Sequence, residues 1–282
     1  MIQIGLTGWR DHESLYEYGS SQDKLSIYAG HFPIVELDAS FYAIQPARNI
    51  EKWMKDTPDN FQFVVKAYQG MTGHQRGDIP FSSKKEMFHA FLESIKPLKE
   101  NGKLAMTLCQ FPPWFSCKKE HVDYLRYCRE WFKDEDVALE FRHRSWFEDV
   151  YYEKTLHYMK EAGWIHSICD EPQAGERSIP FVPVVTTKDK TLVRFHGRNI
   201  YGWNKPANGQ EWRDVRYLYD YNDEELEHLA KEIQRISKDT QNCYVVFNNN
   251  SGGHAAGNAK AFIHKLGIQY EGLAPRQLGL FD

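Results

Sequence analysis

The chain has 282 residues, the size of one large α/β domain, so length does not force two. Its 35 Lys and Arg against 39 Asp and Glu leave a formal charge of −4, which excludes a generally basic nucleic-acid-coating protein but allows a local basic mouth. A hydrophobic share of 41% with 15% aromatics excludes a disordered chain.

The opening MIQIGLTGW alternates like a strand and lacks the basic and apolar regions of a signal peptide. No run approaches the roughly 18 apolar residues of a membrane span. Cysteines 109, 117, 128, 169 and 243 form no CxxC pair, as expected of isolated thiols in a reducing cytosol. A cytoplasmic protein without a membrane partner is therefore expected.

Eight β-rich runs follow one another: IQIGLTG (2–8), FPIVELDAS (32–40), FQFVVKAY (61–68), KLAMTLCQF (103–111), VALEFR (137–142), WIHSICD (164–170), TLVRFHG (191–197) and CYVVFNN (243–249). Their near-continuous apolar character fits a parallel sheet covered on both faces. Helical stripes lie between them. Segment 84–96 carries Met87, Phe88, Phe91, Leu92 and Ile95; segment 118–132 carries Val122, Leu125, Cys128 and Phe132. Pro46 suits the first turn of a helix with Ile50, Trp53 and Met54. Asn222 with Glu225 makes a capping box ahead of Leu226, Leu229, Ile233 and Ile236, and Gly163 and Gly267 sit where C-terminal caps belong.

This alternation predicts an α/β fold of the TIM (β/α)8 barrel type. Residues 171–190 hold three prolines and no helical stripe, so the sixth helix is expected to be missing or replaced by a loop. A doubly wound open sheet is the alternative, weakened by the lack of a GxGxxG after any strand. One barrel domain over 1–271 and a tail over 272–282 complete the expected organisation.

Barrel sites gather at the C-terminal ends of the strands, so the polar residues there are the candidates. They include Arg10, Glu36, Asp38, Tyr42, Lys66, His74, Gln110, Glu140, Arg142, Trp146, Asp170, Arg194, His196, Arg198 and Asn248. The cations suit a phosphate or carboxylate, and the aromatics, with Trp9, Phe41 and Trp203, suit a sugar ring or a base. Glu140 or Asp170 is the candidate general base, His196 the proton shuttle, and Arg142 and Arg194 the anion clamps. A buried barrel layer equally accommodates Glu36, Glu140 and Arg194 as mutual counter-ions, and Asn248–Asn250 as a simple cap. Glu140, Asp170, His74, His143 and His196 could hold a divalent metal, but no HExxH-like spacing favours it.

The phrases VELDASFYAIQP, FVVKAYQGMTGH, LCQFPPWF, VALEFRHRSWF, VRFHGRN and VVFNNNSGGHAAGNA resemble the motif series of the DUF72 family, bacterial and archaeal proteins of unknown function sometimes labelled sugar-isomerase-related. The resemblance runs along nearly the whole chain and implies a TIM barrel, but no established reaction, substrate or cofactor. It points to Glu36, Ser40, Tyr42, Lys66, His74, Gln110, Glu140, Arg142, Trp146, Arg194, His196, Gly197, Asn248 and Asn258 as family positions. The family's Thr-His pair is split here, because Gly73 separates Thr72 from His74.

The chain ends PRQLGLFD, and Gln277, Leu278, Leu280 and Phe281 resemble the peptide by which bacterial replication and repair proteins dock on the DNA sliding clamp. A tail folded back on the barrel is the alternative. The sequence thus points to a pocket for an anionic, ring-containing ligand, a sugar phosphate or nucleic-acid component, with acid–base or phosphoester chemistry. The competing expectations are a non-catalytic, clamp-associated nucleic-acid adaptor and a sugar isomerase or epimerase without a DNA connection.

Overall fold

The computed structural model describes residues 1–16, 24–203 and 212–276, the side chains of 213 and 214 excepted. Eight strands close into one parallel barrel in sequence order. They are β1 (Ile2–Thr7), β2 (Ile34–Leu37), β3 (Gln62–Lys66), β4 (Leu104–Gln110), β5 (Val137–Glu140), β6 (Ile165–Asp170), β7 (Lys190–Phe195) and β8 (Asn242–Phe247). All eight expected strands are present. The open-sheet alternative falls, because β1 pairs with β8 through the register Ile4↔Val245 and Gly5↔Val246.

Two apolar layers result from the alternation of side chains along each strand. Ile34, Val64, Met106, Ile165, Leu192 and Val246 fill the barrel interior. Val35, Phe63, Leu139, Val193 and Phe247 join the outer core under the helices. Gly5 faces inward where β1 approaches β2, and a Cβ there would lie 2.1 Å from the Ile34 carbonyl oxygen.

The helices start and stop where their sequences direct. The stripe of 84–96 becomes helix Lys84–Glu100, with the Ser83 side chain accepting from the Glu86 amide. Asn222 and Glu225 form the expected reciprocal capping box of helix Asp223–Ile236. Gly163 ends helix Tyr152–Ala162 in the left-handed region at φ 70°. Pro46 stands one position earlier than expected, as the N-cap of Ala47–Lys55.

Between β6 and β7 the described structure has only the 3₁₀ turn Gly175–Arg177, so a loop takes the place of the sixth helix. After the last helix, His254–Lys265, the chain returns to the barrel: the Ala274 amide donates to Ala29 O at 3.0 Å and Asn60 Nδ2 to Glu271 O at 3.2 Å. Residues 277–282, which hold the clamp-like peptide, lie outside the described residues. Among the described residues no helix is long and apolar enough to cross a membrane.

Candidate functional site

The inward-facing positions change from apolar to charged at the C-terminal ends of the strands. Five buried groups form a chain of alternating sign: Glu36, Arg194, Glu140, Arg142, Glu171. Arg194 donates to both oxygens of Glu36, Nε at 2.8 Å and Nη2 at 2.6 Å, and Nη1 reaches both oxygens of Glu140 at 2.9 and 2.8 Å. Arg142 Nε reaches the same Glu140 at 2.7 Å and its Nη1 reaches Glu171 at 2.6 Å. Ser167 Oγ donates to Glu140 at 2.9 Å, and Gln110 Oε1 accepts weakly from Arg194 at 3.4 Å. Glu36, Glu140 and Arg194 are thus mutual counter-ions, the arrangement a buried barrel layer requires.

Two guanidiniums cannot fully neutralise three carboxylates, and the carboxyls respond unequally. Burial works to raise Glu140, but Arg194 and Arg142 together hold it well below the ordinary range. At the ends of the chain, burial outweighs the single arginine and pushes Glu36 and Glu171 up to about 7. The central carboxylate keeps its charge and the terminal ones sit near neutrality.

His196 closes this floor. Its Nε2 lies 3.0 Å from Arg142 Nη2 and its Nδ1 lies 2.8 Å from the Asn248 side-chain amide. Arginine can only donate, so Nε2 accepts from Arg142. Burial first, then Arg142 and Arg194, hold the ring neutral, well below the ordinary histidine range.

Above the floor stands a partly exposed rim. Lys66 Nζ lies 3.3 Å from Asp38 and 5.0 Å from the centre of the Phe41 ring. Burial opposes its charge, but Asp38 and Glu36 outweigh burial and raise it above the ordinary lysine range. Thr72 Oγ1 and His74 Nδ1 meet at 2.9 Å, because Gly73 turns the chain at φ 75°. Thr72 and His74 are thus paired across Gly73. Burial, with Lys66 and Arg142 nearby, pushes His74 down to about 3. Its ring packs against Phe41 and Trp114, and Trp114 and Tyr42 are 52% and 57% exposed.

A second aromatic wall faces the mouth from the β7–β8 connection. Arg216 lies over Trp203 at 4.4 Å, Trp212 at 4.6 Å and Tyr217 at 5.4 Å. Its Nε is buried without a hydrogen-bond partner. Arg142 also lies over Trp203, 5.5 Å from its ring centre.

Not every candidate reaches the mouth. Asp170 is out by one position: the inward side of β6 carries Ser167 and Cys169, and the next inward residue is Glu171. The Asp170 carboxylate instead takes Arg198 through both oxygens and the Tyr221 hydroxyl at 2.7 Å. Arg198 also binds Glu225 at 3.1 Å, so this pair fastens the capped helix to the barrel. Trp146 is a core residue, stacked on Phe141 at 4.0 Å with Nε1 donating to Phe115 O. Arg10 borders a separate cleft of about 330 Å³ with Trp9, Lys52 and Trp53. Glu171 follows Asp170 at the end of the sixth strand but was assigned no role, and Arg216 and Tyr217 were absent from the candidates. Strand parity would have found Glu171, but no local signal marks the other two.

Glu140, Cys169 and His196 place potential metal ligands within 4.8 Å of one another. The arginines and Ser167 occupy the lone pairs of Glu140, Arg142 takes Nε2 of His196, and burial raises the Cys169 thiol well above its ordinary value. That donor set fits an ion-pair floor rather than a cation site. Of the other proposed ligands, Asp170 is committed to Arg198, and His143 Nδ1 is bound to Ser145 at 2.8 Å.

The fold and the mouth define a TIM barrel with a buried charged floor and a rim of cations and aromatic rings at the C-terminal ends of its strands. The chain belongs to the DUF72 family, whose model, described as "Protein of unknown function DUF72", matches residues 3–279. It is similar to UPF0759 protein YunF of Bacillus subtilis, 62% identical over the full length of both chains. A DUF72 family protein of Enterococcus faecalis V583 superposes with a TM-score of 0.91 at 41% identity, covering 99% of this chain and 100% of that one. One from Thermotoga maritima MSB8 superposes at 0.80 with 32% identity, covering 95% and 100%.

Proposed function

We propose that the mouth binds an anionic, ring-containing small molecule of the sugar-phosphate or nucleotide type and carries out acid–base chemistry on it. Arg216 carries this reading. The other cations of the mouth and its border, Lys66, Arg142, Arg194 and Arg198, each have a carboxylate within ion-pair distance. Arg216 has none among the described residues, and its Nε is buried without a hydrogen-bond partner, which is costly. A ligand phosphate or carboxylate would complete it, with Lys66 as a second contact. Trp114, 52% exposed, offers stacking surface for a ring.

In this reading Glu140 and Arg194 are the rigid floor that positions Arg142 and His196. The solvent-accessible rim is where ligand and protein exchange protons. Calorimetry with inorganic phosphate and with a nucleoside monophosphate tests it. The phosphorylated ring compound should bind more tightly than phosphate by about 1–3 kcal/mol from stacking. Arg216→Gln and Lys66→Met should each lower phosphate affinity about tenfold or more, the scale of a charged hydrogen bond. Absence of binding, or unaltered binding by Arg216→Gln, overturns the proposal.

A further inference from the structure

Tyr217 stands in the mouth with an unusual set of neighbours. Its ring lies 6.1 Å from His196 and 6.3 Å from Trp203, with the Arg216 guanidinium over its face. Four other tyrosines packed into the barrel have their hydroxyls engaged: Tyr28 with Ile34 O, Tyr124 with Met71 O, Tyr221 with Asp170, Tyr244 with Gln62. The Tyr217 hydroxyl makes no hydrogen bond to a described residue, yet it is not sealed off like that of Tyr158, whose oxygen is buried and unpaired. Arg216 lies beside it, and the charges of Lys66 on β3 and of Arg142 and Arg194 in the floor favour its phenolate as well. Neutral His196 also flanks its ring.

We propose that Tyr217 is the catalytic acid–base group of the mouth, donating its phenolic proton to the bound anion's reacting atom and recovering it afterwards. The inference rests on the mouth being a ligand site. In the forward step the O–H bond breaks, its electron pair stays on the phenolic oxygen, and the proton forms a new bond to the ligand. Water then gives a proton to the phenolate and leaves to solvent as hydroxide, so the net change is a protonated ligand and one hydroxide. The surrounding cations stabilise the phenolate during the interval, as preorganised charge does for any developing anion. Burial alone would hold the phenol protonated, but Arg216, Arg142, Lys66 and Arg194 outweigh burial and set it below the ordinary tyrosine range. Burial instead raises Tyr16, Tyr28, Tyr124, Tyr158, Tyr219, Tyr221, Tyr244 and Tyr270.

Two measurements on the full chain test the proposal. In an ultraviolet titration of tyrosinate, the parent should show an early step with the amplitude of one tyrosine in 16, and Tyr217→Phe should lack it. Treatment with tetranitromethane, mapped by mass spectrometry, should nitrate Tyr217, and inorganic phosphate should protect it while the 95% exposed Tyr201 stays reactive. An early step that persists in Tyr217→Phe, or a Tyr217 that escapes nitration while Tyr201 reacts, overturns the role of Tyr217 even if phosphate binds. If phosphate fails to bind or protect while the early step is present and lost in Tyr217→Phe, the mouth's ligand assignment fails and the poised phenol stands.

Discussion

Arg194 holds Glu36 in a parallel two-bond grip, and the two residues lie 158 positions apart in the chain. The same guanidinium reaches Glu140 with its remaining nitrogen, so one side chain neutralises groups from β2 and β5 at once. Arg194→Met should lower the unfolding free energy by about 3–5 kcal/mol, because it leaves buried carboxylates uncompensated. Adding Glu36→Gln should restore part of that loss. Urea denaturation of the single and double variants checks both, and a single variant within about 1 kcal/mol of the parent would contradict the counter-ion role.

Glu171 gives a pH prediction with a definite sign. Burial raises its folded carboxyl to about 7, above the ordinary 4.5. The folded state then keeps a proton that the unfolded chain has released. Stability from this group is present at low pH and is lost as pH rises from about 4.5 to 7, in total about 3 kcal/mol. Glu171→Gln removes that loss, so its stability relative to the parent should climb across the same window. The comparison must be variant against parent, since buried His74 and His166, lowered to about 3 and about 4, push total stability the other way. A difference that stays flat with pH refutes the assignment.

Asp170 and Lys66 should behave oppositely. Asp170→Asn weakens the bonds from Arg198 and Tyr221, so it should destabilise the fold by about 1–3 kcal/mol and leave phosphate affinity unchanged. Lys66→Met should do the reverse. Calorimetry and thermal unfolding on the same two proteins decide it; phosphate binding lost in Asp170→Asn with stability intact would return Asp170 to the mouth.

Gly5→Ala places a methyl group against the Ile34 carbonyl, where β1 and β2 pair. Such overpacking should cost roughly 1–3 kcal/mol. A variant as stable as the parent would mean that the strands separate there without penalty.

The barrel was legible because each strand's apolar run is long enough to reveal burial on both faces, and the proline-rich 171–190 segment marked the missing helix. The floor was legible as a list of residues but not as a structure. Glu36, Glu140 and Arg194 are ambiguous until closure shows them bonded to one another. Asp170 was preferred to Glu171 because a strand end read from sequence carries an uncertainty of one residue, and one residue reverses the face. Trp146 follows the family motif, yet it packs on Phe141 and Phe115, a choice that depends on neighbours from other strands. Arg216 and Tyr217 lie in the connection after β7, with no periodicity to flag them, and only the folded chain brings them over the mouth.

The alternating chain of acids and bases also has a consequence for how the protein assembles. Only Glu140 and Arg142 pair within one stretch; β2 brings the acid Glu36 and β7 the base Arg194, and these two meet only when the ring shuts. A half-barrel ending before β7 would keep Glu36 without Arg194 and leave Glu140 with Arg142 as its one guanidinium partner, a poorer offset for their removal from water. Closure therefore gains its electrostatic reward late and all at once. Long-range pairing of this kind favours slow, all-or-none folding over stepwise growth from either end. Fragments of the chain should accordingly gain little order alone and recover it only when the complementary half is added.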